Sequence, residues 1–181
     1  MKMNCIPNNM EKYMALMLGH NLVFIDSFQF TSSSLDKLVS NLPKESLIYT
    51  SEIFKGKALD LMSKKGVYPY DYMDSFDKFN KTGLPTKEAF YSILNDQHIS
   101  DDDYKHAKCV WKGFQLKNMG EYHDLYLMSD ILLLADVFEN FRKSYLECYK
   151  LDPAHYFTSS GLSWDSMLEM IDIELELMTD I

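Results

Sequence analysis

The stretch from Gly120 to Tyr149 constrains this chain most. After Gly120 it holds neither glycine nor proline, and Tyr126, Asp130, Leu133, Leu134, Val137, Phe138, Phe141 and Tyr145 recur at three- and four-residue spacing. That period lines apolar side chains along one face, so the sequence predicts a single long amphipathic helix. Asp152-Pro153 ends it, because proline holds the residue before it in an extended conformation.

The other segments are shorter. Cys5 to Leu18 carries apolar residues near helical spacing and reads as a short helix. Leu22-Val23-Phe24-Ile25 is β-rich, and Phe28 and Phe30 then alternate with polar neighbours. His20 to Phe30 therefore reads as a buried strand leading into a turn. Thr31 to Ser34 suits the cap of a helix carrying Leu35, Leu38, Val39 and Leu42, which Pro43 stops. Leu47 to Phe54 reads as a strand or irregular connection, and Leu59 to Lys64 as a helical turn ended by Gly66. Pro69, set among Tyr68, Tyr70 and Tyr72, excludes helix interior and makes Gly66 to Tyr72 an extended loop. Thr86 begins one helix. Ser100 begins another, running to about Phe114, with Asp101, Asp102 and Asp103 where the helix dipole favours acids. Ser160-Gly161 marks a turn and Trp164 to Met170 a last helix. There is no internal repeat or low-complexity tract, and Leu177 to Ile181 carries no stop-like cap, so the sequence reads as cut rather than finished.

Apolar residues make up 46% of the 181, enough for a sizeable core, and 7 glycines and 5 prolines exclude collagen-like and disordered classes. Cys5, Cys109 and Cys148 are dispersed, which argues against structural zinc and for reduced thiols. No apolar run approaches the roughly 18 residues of a membrane span, and the N-terminus lacks a secretory pattern. The expected location is intracellular: nucleus, cytoplasm or mitochondrion, neither secreted nor in a membrane. The formal net charge of −9 is a poor footprint for an autonomous nucleic-acid binder.

Tyr126 and Asp130 lie four apart on the long helix and share a face. A Tyr-x-x-x-Asp pair suits two-metal 3′–5′ nucleases, where the acid binds a cation and the tyrosine helps place the attacking water. With 12 tyrosines in the chain, about one such pair arises by chance, and Tyr70/Asp74 is a second. The bland reading of Asp130 is a solvated acid beside a buried stripe. Asp26, at a strand end, reads first as a turn former. Lys64-Lys65-Gly66 before the tyrosine loop suits a phosphate and a stacked base, or simply a solvated edge with tyrosines packed as core. The five histidines are scattered and suggest no metal site.

Together these segments resemble the protein-primed B-family DNA polymerases, in the version found in organellar plasmids, viruses and Polinton-type transposons. Gly120 to Phe138 is similar to the third exonuclease motif. Phe24 to Phe30 followed by Ser34 to Leu38 resembles a strand and helix of the exonuclease domain. Lys65 to Tyr72 resembles its lysine loop, and Asp152 to Asp165 the passage into the polymerase palm. The resemblance covers essentially the whole chain and rests on the order of four individually weak motifs.

The resemblance implies an α/β, predominantly helical fold: residues 1–150 the C-terminal part of an RNase H-like exonuclease domain with an incomplete sheet, 151–181 the start of the palm. It implies that Asp130 is the metal-binding carboxylate and Tyr126 its helper. It sets Lys65 in the lysine motif and Tyr70 near an aromatic that contacts single-stranded DNA. Ser27 and Phe28 fall on the motif that meets the primer strand and the terminal priming protein, with Phe replacing the family's Leu. The implied parent replicates DNA by nucleotidyl transfer from dNTPs, with Mg²⁺ or Mn²⁺ as cofactor and 3′–5′ proofreading. The first motif, Asp-x-Glu, is absent from its place, since Asp172-Ile173-Glu174 follows the third motif. Asn21 to Asp26 has one residue too many for the second motif, so Asp26 reads as structural. The palm aspartates are also absent. The isolated chain is therefore expected to bind metal poorly and to be inactive. The rival readings are a degenerate relic that at most binds DNA or protein, and a plain helical interaction module.

Overall fold

The computed structural model describes residues 3–9, 12–19 and 22–171. His20 and Asn21, Asp172-Ile173-Glu174 and Leu177 to Ile181 lie outside the described residues. The fold is mixed α/β and mostly helical, with one small antiparallel sheet. Two compact units are present: Ser34–Val137, and the residues up to Ser33 joined to those from Phe138 onward.

The second of these carries the sheet, in the order β1 (Met3–Pro7), β2 (Tyr13–Leu18), β3 (Leu22–Ile25). Cys5 pairs with Leu16, and Leu16 in turn with Phe24. The helix expected over Cys5 to Leu18 does not form. Pro7 cannot sit inside a helix, and Asn8 and Asn9 close a turn in which the Asn9 side chain accepts the Lys12 N–H at 2.9 Å. The run is split there into two strands. Leu22 to Ile25 is a strand as expected, but not a buried one: Leu22, Val23 and Phe24 are 49%, 49% and 52% exposed. Phe28 and Phe30 belong to a short helix, α1 (Phe28–Thr31), not to an extended continuation. The Asp26 carboxylate turns the chain into it, accepting the Phe28 N–H at 3.0 Å and the Gln29 side-chain amide at 3.1 Å. This is the structural role read for Asp26.

Within the same unit Phe30 packs on Phe138 and Phe141 with ring centres 6.1 Å away in each case. Arg142 grips Asp152 with two bonds, at 2.9 and 2.5 Å, and Glu139 with a third at 2.8 Å. Asp152 also accepts the Ala154 N–H and so starts the turn after the long helix. The last described helix, α7 in chain order (Ser159–Ile171), begins earlier than expected. Ser160 and Gly161 form its first turn because the Thr158 hydroxyl accepts the Gly161 N–H.

The Ser34–Val137 unit holds α2 (Leu35–Ser40), α3 (Ile48–Ile53), α4 (Lys57–Met62), α5 (Asp101–Gly113) and the first part of α6 (Met119–Tyr149). Ser34 caps α2 through the Lys37 N–H. Ser100 caps α5 by accepting the Asp103 N–H, and its hydroxyl donates to the Asp103 carboxylate. After Thr86 only a single 3₁₀ turn forms, Lys87–Phe90, in place of the expected helix, and the chain then folds back with Ser92 bridging Gln97. Leu47 to Phe54 is helical rather than strand-like. The cause lies on α6, where buried Asp136 accepts the Tyr49 N–H at 2.7 Å and the Thr50 N–H at 3.1 Å, satisfying the first turn of α3.

Two apolar clusters brace α6 here. Met119 and Tyr122 pack with Phe54, Met62, Ala107 and Val110, and Leu133 and Val137 pack with Val39 and Leu47. The helix is thereby fixed in rotation, which sets the direction of the residues between the clusters. Among the described residues no helix is long and apolar enough to cross a membrane.

Candidate active site

The residues between those clusters include Tyr126, Ser129 and Asp130. Opposite them runs the loop from Lys65 to Tyr72, extended around Pro69 as its sequence requires. Two bonds hold loop to helix. The Tyr122 hydroxyl donates to the Val67 carbonyl at 2.6 Å, and His123 Nδ1 lies 2.8 Å from the Tyr68 hydroxyl. Tyr68 stacks between Tyr126 and Tyr122, with ring centres at 5.0 and 6.3 Å. Trp111 extends the series, 5.9 Å from Tyr122. The loop approaches so closely that a Cβ on Gly66 would stand 3.3 Å from the Tyr126 ring. A side chain here would make the ring give by a few tenths of an ångström.

The loop delivers two groups to the helix face. The Tyr70 hydroxyl lies 2.8 Å from the Tyr126 hydroxyl, and Lys65 Nζ lies 3.9 Å from Asp130 Oδ2. Tyr70 itself is 67% exposed, leaving its ring open to a ligand. Asp71, the next residue, accepts the Ile93 N–H at 2.9 Å and ties down the far side of the loop. Lys64 is already engaged, bonded to Asp103 at 2.8 Å, so Lys65 is the lysine of the pair that reaches this face.

Asp130 is half-buried, and its Oδ1 is buried without a hydrogen-bond partner. Burial pushes its carboxyl above the usual range, against the opposing pull of Lys65 and the Tyr126 hydroxyl. Burial also pushes the Tyr126 phenol far up, with help from the Tyr70 hydroxyl and the Asp130 charge. Tyr126 therefore stays a neutral hydroxyl that donates or accepts hydrogen bonds and does not serve as a base. The arrangement brings together a carboxylate with one unpartnered oxygen, a lysine beside it, and two hydrogen-bonded phenols.

Lys65, Tyr70, Tyr126 and Asp130 thus come together in one place. Ser27 and Phe28 belong to the other compact unit, where Ser27 precedes α1 and Phe28 is exposed. Tyr122 and His123 were not singled out by sequence reasoning, although Tyr122 stands one helical turn before Tyr126 on the same face.

A family model described as DNA polymerase type B, organellar and viral, matches residues 1–179. The chain belongs to that family. No curated protein and no solved structure matches it. By family it is part of a DNA-directed DNA polymerase, a nucleotidyltransferase of DNA replication, and membership implies binding of DNA and dNTPs. Type B polymerases generally use divalent metals, and Asp130 fits as one ligand, because its unpartnered Oδ1 has acceptor capacity to give. Among the described residues no group of three or more His, Cys, Asp or Glu side chains is placed to hold a metal ion. Asp130 alone would not make a complete cation site.

Proposed function

We propose that this type B polymerase chain contributes the back half of a 3′–5′ proofreading exonuclease site to protein-primed DNA replication. The observation that carries the reading is the convergence of Lys65, Tyr70, Tyr126 and Asp130, four residues drawn from two separate motifs. Asp130 offers an oxygen to a Mg²⁺ or Mn²⁺ ion completed by carboxylates that the described residues do not provide. Tyr126, kept neutral, orients a water or phosphate oxygen by hydrogen bonding. Lys65 supplies positive charge beside the carboxylate, and exposed Tyr70 gives a base a face to stack on. In this reading the exonuclease part is RNase H-like and residues 151–181 open the palm. Ser27 and Phe28 meet the primer strand and the terminal protein. A lone carboxylate holds divalent cations weakly against their hydration, so the isolated chain is inactive.

The test uses a single-stranded oligonucleotide with a photoreactive base near its 3′ end. The chain should crosslink to it at Tyr70, and Tyr70→Ala should abolish that product. The chain alone should show no useful Mg²⁺-dependent degradation. Joined to sequence that supplies the remaining carboxylates, degradation should appear, and Asp130→Ala should lower it by about 100-fold or more while sparing nucleotide addition. EDTA-sensitive degradation by the chain alone that vanishes with Asp130→Ala would sink the inactivity. Degradation by the joined protein that ignores Asp130→Ala would sink the site.

A further inference from the structure

A small cavity of about 20 Å³ lies between α5, α6 and the segment that leads into the tyrosine loop. Met62, Val110 and Leu125 give it apolar walls, Tyr126 forms part of the lining, and His106 and Ser129 are its neighbours from α5 and α6. Ser129 is 3% exposed, and its Oγ has no hydrogen-bond partner. Nε2 of His106 is likewise buried without a partner. Two such atoms on residues that line one cavity call for a shared partner, because a buried polar group left unbonded is costly. A water needs roughly 10–15 Å³ of such space and two or more polar partners, and cavities of wholly apolar lining stay dry. This one has the volume, and two of its lining residues carry a buried polar atom without a protein partner.

We propose that the cavity is a built site for one buried water, bridging His106 Nε2 and Ser129 Oγ and tying α5 to α6 behind the Tyr126 ring. Burial, with Lys64 nearby, keeps the His106 ring below its usual value and so uncharged at neutral pH, against a smaller opposite effect of Asp103. An uncharged imidazole and a hydroxyl can each donate to or accept from the same water. The site shares the Tyr126 ring with the proposed exonuclease site but not Asp130, and no ion is needed to fill it, so its test is read separately.

The experiment is NMR on the full chain, reading cross-relaxation between water and the His106 ring and Ser129 β protons, with magnetic relaxation dispersion to count long-lived waters. The expected result is slow-exchange water contacts at both residues. Ser129→Ala, which removes the hydroxyl and adds no bulk, should abolish the contact at His106 and lower the count by one water. Should Ser129→Ala fail to fold, His106→Leu should abolish the Ser129 contact, and His106→Gln, which restores a polar group, should return it. Absence of slow water at either residue in the parent chain overturns the proposal. A count unchanged in the folded variants overturns it equally.

Discussion

Two turns of α6 present the same residue in opposite circumstances. At one, Asp136 is 1% exposed and both its oxygens accept backbone N–H groups, from Tyr49 and Thr50. At the other, Asp130 is partly open, its nearest cation lies 3.9 Å off, and one buried oxygen meets nothing. A carboxylate whose acceptor sites are filled by its own chain is a structural part. One that keeps a buried oxygen unpartnered carries a desolvation cost, which is why Asp130 and not Asp136 is the candidate for a ligand.

The comparison breaks most readily at Asp136. Replacing it by Ala leaves the N–H of buried Thr50 and that of partly exposed Tyr49 unpaired, at about 1–3 kcal/mol for the buried one and less for the other, so a loss of about 2–3 kcal/mol is expected, roughly 5–10 °C in a melting experiment. Asp136→Asn keeps one acceptor oxygen and should cost about half as much. Loss below about 0.5 kcal/mol for Asp136→Ala would mean that α3 does not depend on this cap.

Asp152 is an intermediate case, an acid satisfied by an ion pair that water still reaches. Arg142 holds its carboxyl down to about 2, helped by the Ala154 N–H. A depressed carboxyl stabilises the fold above its unfolded value, near 3.9, and that stability fades as the pH falls toward about 2. Because the pair is partly open, Asp152→Asn should cost only about 1 kcal/mol at pH 7. That difference should shrink in acid melts, and a constant difference across the acid range would exclude the ion pair as its cause.

Tyr70→Phe removes the hydroxyl bound to Tyr126 and leaves the ring. The expected cost is about 0.5–1 kcal/mol in chemical denaturation, with crosslinking to DNA retained because stacking needs only the ring. Loss of both would make Tyr70 a packing residue.

The smallest effect has the opposite sign. Burial raises the Asp130 carboxyl, so its charged form disfavours the fold as pH climbs from the unfolded value through the raised one. In EDTA, Asp130→Asn should melt slightly higher than the parent at neutral pH, and the gain should vanish in acid, where the parent is also uncharged. A destabilised Asn variant would place Asp130 in the same class as Asp136.

These contrasts also show what the sequence made legible. α6 was plain, because its apolar period is long and unbroken, and Ser100 with three following acids announced α5. α3 was not, since its cap arrives from a residue 87 positions away. Nothing local in Leu47 to Phe54 records it. β1 and β2 were not legible either, because short apolar runs fit both periods and only Pro7 with Asn8 and Asn9 marks the turn that splits them. Of the site, the spacing of Tyr126 and Asp130 said little, as chance supplies such pairs. Resemblance brought Lys65 and Tyr70 beside them, and the structure supplies the contact. The idle oxygen of Asp130 and the pair His106 and Ser129 were invisible, because burial without a partner is a property of packing and not of composition.

The ring series from Trp111 through Tyr122 and Tyr68 to Tyr126 also has an optical consequence. Tyrosines this near an indole pass their excitation to it, so light absorbed along the series emerges as Trp111 emission. The chain's other indole, Trp164, stands in the other compact unit and is exposed. With Trp164 replaced by Phe, the emission of Trp111 becomes a label-free gauge of whether the tyrosine loop is seated. A titration of DNA or metal can then be followed in a fluorimeter without attaching anything to the protein.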